Sequence, residues 1–132
     1  MSEDQRKHLE FIQAVITRMA GNSFLIRGWS VTRVSALVAL AAKDSQKEFA
    51  ILSLIPCAMF WFLDAYYLSL ERRFRSLYNE VRQACSTDYS MTLPDITAAE
   101  RWLTVLHSRT VLPFHGTMVA AILIAFLYIK TI

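Results

Sequence analysis

The chain has too few of several residue types to support most kinds of chemistry. Three glycines, Gly21, Gly28 and Gly116, are scattered through 132 residues, so there is no glycine-rich loop to cradle a phosphate and no nucleophile elbow. Two cysteines are present: Cys57 lies inside an apolar run and Cys85 beyond a basic stretch. Such different depths make poor disulfide partners, and their spacing is not that of metal ligands. His8, His107 and His115 stand at unrelated positions, without Glu, Asp or Cys at ligand spacing. An enzyme, a bound metal and a cofactor are therefore not expected. Charge is scarce as well. Only 19% of residues are charged against about 25% in soluble proteins, while 55% are hydrophobic against roughly 45–50%. The apolar excess collects in three runs, so the expected class is an all-α membrane protein, residues 1–132 forming one domain.

The longest run opens at Phe49 and passes without glycine into the basic stretch that follows Leu68. Leu70, Phe74, Leu77 and Val81 recur at 4-3-4 spacing, so the helix is expected to leave the lipid carrying one apolar stripe. At about 1.5 Å per residue, residues 49–82 make a rod roughly 50 Å long. Span two is assigned to 49–69 and a cytoplasmic stalk to 70–83; Pro56 is tolerated inside the span with a kink.

Upstream, residues 2–5 have the form of a capping box. Leu9, Ile12, Ile16 and Met19 follow at 3-4-3 spacing, which predicts an amphipathic helix over 2–21, lying on the membrane surface or packed against another helix. The acidic, polar start reads against a cleaved signal peptide. Gly21, Asn22 and Ser23 predict a C-cap and a fresh N-cap, which separates this helix from span one, 24–42. The polar turn over 43–48 then folds spans one and two into an antiparallel hairpin. Pro94 and Asp95 break the chain after the stalk, and Thr97 with Glu100 offers a second capping box. A short interfacial helix over 97–108 carries Trp102, Leu103, Val105 and Leu106. Span three is expected over 111–130, with Pro113 in its first turn and Gly116 and Ala120 as a small contact surface.

Positive charge fixes the orientation. Arg6, Lys7, Arg18, Arg27, Arg72, Arg73, Arg75, Arg82, Arg101 and Arg109 fall on one side, and Lys43, Lys47 and Lys130 on the other. The N-terminus and stalk are then cytoplasmic and the C-terminus lies on the far side. Arg33 is left inside span one.

The hairpin predicts a pairing, because residues whose numbers sum to about 91 lie level at equal helical rise. Asp64 is level with Arg27, and an ionisable group within a span needs a partner or water. The pair is read either as a structural bridge or as part of a conducting path. Arg33 lies about 9 Å deeper; it either snorkels or faces a hydrated cavity, which three spans in one subunit cannot enclose. A hydrated cavity therefore implies a homo-oligomer, with a tetramer as the expected assembly. Arg72, Arg73, Arg75 and Arg82 surround the stalk. They are read as contacts to anionic lipid heads or as a cytoplasmic anion or nucleic-acid site, with Phe74 and Tyr78 nearby to stack bases. The stalk stripe itself is expected to join an inter-subunit bundle with the N-terminal helix.

The segments Arg6-Lys7-His8-Leu9-Glu10-Phe11-Ile12-Gln13, Gly28-Trp29-Ser30-Val31-Thr32 and Phe60-Trp61-Phe62-Leu63-Asp64-Ala65-Tyr66-Tyr67-Leu68, with Glu71 and Arg72, carry a resemblance over most of the chain. Together they resemble a family of small bacterial membrane proteins encoded beside nucleotidyltransferases, the pairing of the Hailong anti-phage defence system. The resemblance implies an oligomeric ion channel in the bacterial inner membrane, with the C-terminus periplasmic. It further implies that a DNA oligomer or nucleotide signal made by the partner nucleotidyltransferase holds the channel shut. Infection would remove that signal, open the channel and depolarise the membrane. It implies no particular ligand-binding residue, and Arg33 departs from it, since an apolar residue is expected there. The competing expectation is a non-conducting anchor or scaffold whose basic stalk recruits a cytoplasmic partner.

Overall fold

The structure is a computed structural model that describes residues 1–85, 88–97 and 100–131. Its first helix, α1, runs over Glu3–Asp44 without interruption. Ser2, in extended conformation, caps it by accepting from the Gln5 backbone N–H at 3.1 Å, and Glu3 and Asp4 place negative charge at the positive end of the dipole. The expected break at Gly21, Asn22 and Ser23 does not form. Gly21 does not adopt a positive φ, and a glycine inside a helix costs only about 1 kcal/mol relative to alanine. Ile16 before it and Ile26 after it are both buried, so one partner helix packs along the whole length and overrides the local signal. The amphipathic helix and span one are two halves of a single rod.

Ser45, left-handed at φ 52°, ends α1, and the N–H groups of Ser45 and Gln46 both donate to the Ala41 carbonyl. The return strand of the hairpin is helical in two pieces, α2 over Lys47–Leu52 and α3 over Leu54–Gln83. Pro56 explains the interruption at Ser53. It has no N–H for the Leu52 carbonyl and its ring crowds that group, so the kink falls one turn before the proline. Ser53 donates its hydroxyl to the Ala50 carbonyl at 2.6 Å, closing the gap internally.

The fourth helix, α4, covers only Trp102–Leu106, shorter than the expected 97–108. Thr97 donates its N–H to the Glu100 carboxylate at 3.2 Å, so the returning half of the capping box forms as a turn ahead of the helix; Ala98 and Ala99 lie outside the described residues. Ser108 then caps α5, Val111–Thr131, by accepting from the Val111 N–H at 3.3 Å. Among the described residues all regular structure is helical. Three rods, α1, the α2–α3 pair and α5, are long and apolar enough to cross a membrane.

The α1–α3 hairpin keeps the register set by its turn: Arg27 meets Asp64, Val34 packs with Cys57, and Ala41 with Ala50. The stalk end is closed by Leu9, Ile12 and Ile16 against Leu77 and Val81, with Phe74, Tyr78 and Leu93 around them. This bundle forms within the chain, because uninterrupted α1 brings its own first half alongside the stalk. Gln5 adds a cap across it, donating its side-chain amide to the Val81 and Ala84 carbonyls at the end of α3 at 3.0 and 3.1 Å. Each buried aliphatic side chain here contributes about 1.5–3 kcal/mol where water surrounds the bundle. Deeper layers, Val34–Cys57–Ile122 and Ala41–Ala50–Ile129, gain far less from that effect if lipid surrounds them, so packing and polar contacts must hold them.

A Cβ at Gly21 would meet nothing within 4 Å. Gly21→Ala is therefore expected to raise stability by up to about 1 kcal/mol, read as a higher melting temperature in detergent. A residue needed as a helix cap would respond with the opposite sign.

Candidate intramembrane polar site

Between the stalk core and the Val34 layer, polar side chains replace aliphatic ones. Asp64 is fully buried there on α3. From α1, Ser23 and Arg27 lie one turn apart on one face; Ser23 donates its hydroxyl to Asp64 Oδ1, and Arg27 donates Nε–H to Oδ2 at 2.8 Å. From α5, His115 places Nε2 2.8 Å from the same Oδ2. A carboxylate has only acceptors to offer, so the imidazole is the donor in this bond. One acidic group thus ties together all three membrane-length rods.

Local structure positions each donor. The α4 segment acts as a collar, with Trp61 donating its indole N–H to the Leu106 carbonyl at 3.2 Å and Trp102 donating to the Phe62 carbonyl at 3.3 Å. Val105, Leu106 and Val111 pack on Ala65, which fixes the height at which α5 begins and so the height of His115. The Trp61 ring stacks on the imidazole, with centroids 5.9 Å apart and planes 5° from parallel. Arg27 also lies over the Phe114 ring at 5.7 Å, a contact that suits a guanidinium. Buried side-chain atoms without a hydrogen-bond partner include His115 Nδ1 and Ser30 Oγ; Ser30 lies on the inward face of α1, two turns beyond Ser23. Among the described residues, no group of three or more His, Cys, Asp or Glu could hold a metal. What the cluster can do chemically is neutralise a buried charge and lock the bundle.

Arg33 contrasts with Arg27. It is exposed and has no ion-pair or hydrogen-bond partner among the described residues. His115 lies four residues into α5, about 6 Å from its start, and Arg33 lies a further 9 Å or so beyond Arg27. That places Arg33 roughly 15 Å along a rod about 31 Å long, near its middle. On α1 it shares a side with Asn22 and Trp29, next to a groove of about 240 Å³ that Leu25, Ile26, Phe60, Leu63 and Tyr67 also line. The groove is made by α1 and α3 alone, on the side away from α5.

The four stalk arginines do not form one cluster. Arg75 is bridged to Glu71, one turn earlier on the same helix, at 2.8 Å. Arg73 is half-buried and its charge acts on Glu100; Arg72 is half-buried and Arg82 exposed on the last turn of α3. Burial pushes the Glu100 carboxyl up, but hydrogen bonds from Ser76 and Thr97, helped by Arg73, outweigh it and hold the group below the usual carboxylate range. The Glu100 backbone carbonyl accepts from Ser69, so the elbow before α4 is pinned to the stalk. Phe74 and Tyr78 are half-buried against the stalk core, and Tyr78 also lines a cavity of about 220 Å³ with Arg75. Beside the stalk, Phe11 of α1 and Tyr89 beyond α3 are exposed and, with Arg18 and Met91, line a cavity of about 340 Å³.

Sequence reasoning placed Arg27 level with Asp64 and missed Ser23 and His115. A signal for His115 was present: it is an ionisable group in an apolar span, at the same end of the bundle as a lone aspartate, and each is costly without a partner. No protein-family model matches the chain, and no curated protein or solved structure is significantly similar to it.

Asp64→Ala leaves Arg27 and His115 without their carboxylate, and is expected to cost about 3–5 kcal/mol, as breaking a buried ion pair does. Arg27→Ala should cost less, because Ser23 and His115 still bind the carboxylate, and adding it to Asp64→Ala should cost little more. Thermal unfolding of the three variants in detergent reads this directly. Strictly additive losses would mean that the two side chains do not act on each other.

Proposed function

We propose that the chain is the subunit of an oligomeric membrane ion channel, with its N-terminus and stalk in the cytoplasm. The observation that carries this reading is Arg33, a charge exposed near the middle of a membrane-length helix and paired with nothing in its own chain. A charged side chain at the centre of a bilayer costs about 2.5–3.5 kcal/mol even on the most lenient scale. Snorkelling is a remedy for residues near a helix end. Water is the other remedy, and three packed rods in one subunit hold no room for a column of it. Several copies arranged around a common axis would supply it.

The stalk is the natural place for control. Exposed Arg82 and the Phe11–Arg18–Tyr89 cavity combine charge with aromatic faces, the chemistry that holds single-stranded nucleic acid. The family resemblance adds the biological setting: a nucleic-acid oligomer or nucleotide from a partner nucleotidyltransferase keeps the channel closed, and its loss during phage infection depolarises the bacterial membrane.

Purified protein in liposomes is expected to pass ions, and a single-stranded DNA oligomer added on the stalk side should suppress the flux. Arg75→Glu combined with Arg82→Glu should leave the flux intact while weakening suppression and flattening its salt dependence, since fewer counterions are released. Liposomes that stay silent under every ligand condition would favour a non-conducting anchor that recruits a partner through its stalk.

A further inference from the structure

We infer that the side of α1 bearing Arg33 faces the conducting path and that Arg33 makes this path select anions. The inference rests on the channel reading and deepens it by naming the class of ion.

Two opposite sides of the subunit differ in kind. The outer face of α5 exposes Leu112, Leu123, Ile124, Leu127 and Tyr128 and no charged side chain before Lys130, a surface suited to lipid tails. The side away from α5 carries Arg33 in line with Asn22 and beside the α1–α3 groove, which Tyr67 also lines. Leu25, Trp29 and Leu63 are exposed on this side as well, so what sets it apart is Arg33, a charge that lipid cannot satisfy and water can.

The charge balance then decides the sign. Within the spans the sequence has Arg27, Arg33 and Asp64. Asp64 is completely buried, and its charge is already met by Arg27 at 2.8 Å, so it cannot compensate Arg33. At the turn between α1 and α2, Lys43 and Lys47 are offset by Asp44 and Glu48. Each subunit therefore brings one unmatched positive charge to the middle of the path, and symmetry multiplies it into a ring. Rings of arginine favour anions and exclude cations, because the low-dielectric surroundings leave the field little screened.

The test is the reversal potential of the reconstituted protein across a potassium chloride gradient in a planar bilayer. The parent is expected to pass chloride several-fold more readily than potassium. In Arg33→Gln the permeability ratio should fall towards one, and in Arg33→Glu it should invert. The glutamine variant, being neutral, keeps the test alive if the glutamate variant fails to insert. Current that prefers potassium in the parent, or a reversal potential unmoved by Arg33→Gln, overturns this inference and leaves the channel reading standing. A complete lack of current overturns both.

Discussion

Asp64 sits where the three membrane-length rods meet, with no exposed surface, and everything around it is arranged to make that position tolerable. Arg27 supplies the opposite charge, and Ser23 and His115 supply two further donors. In lipid the hydrophobic effect does little to bring helices together, so a carboxylate that needs partners from α1 and α5 does what aliphatic layers do in water. It also dictates geometry. Three donors converging on two oxygens allow one height and one rotation for each rod, which an interface of Val34, Cys57 and Ile122 would enforce less strictly. The polar layer sits next to the collar made by α4, and the collar's tryptophans hold α5 at the height that His115 requires.

The register of the hairpin was legible in the sequence because a single feature sets it. Once a short polar turn lies between two helices, level pairs follow by counting, and Arg27 falls opposite Asp64. The height of α5 was not legible in this way. The described residues between Gln83 and Val111 are mostly irregular, and no periodicity tells how far along the hairpin this segment will carry the next helix. The misreading at Gly21 has a different cause. Cap signals are worth about 1 kcal/mol, whereas Leu9, Ile12, Ile16 and Ile26 all bury against a neighbouring helix, and the sum of those contacts decides. The same preference for packing half-buries Phe74 and Tyr78, while Phe11 and Tyr89 stay more exposed.

With Asp64 fully satisfied, the membrane-length rods offer Arg33 no acid of their own at its height. The two arginines within the membrane-length part of α1 thus differ, one spent on holding the fold together and one left to meet whatever lies outside it. The stalk, by contrast, is partly neutralised within the chain, through Glu71 with Arg75 and Glu100 near Arg73. A ligand arriving there meets Arg82, Arg18 and exposed aromatic rings rather than a uniform basic ring.

The central claim is that the Arg33 side of α1 meets water in the assembled membrane protein while α5 meets lipid. Labelling with a membrane-impermeant thiol reagent in native-like bilayers measures this directly. Cys85, exposed, and Cys57, buried, serve as internal standards for the fast and slow limits. Arg33→Cys is expected to react at a rate approaching that of Cys85, and Ile124→Cys to stay as slow as Cys57. A cysteine at position 33 as protected as one at position 124 would contradict the account.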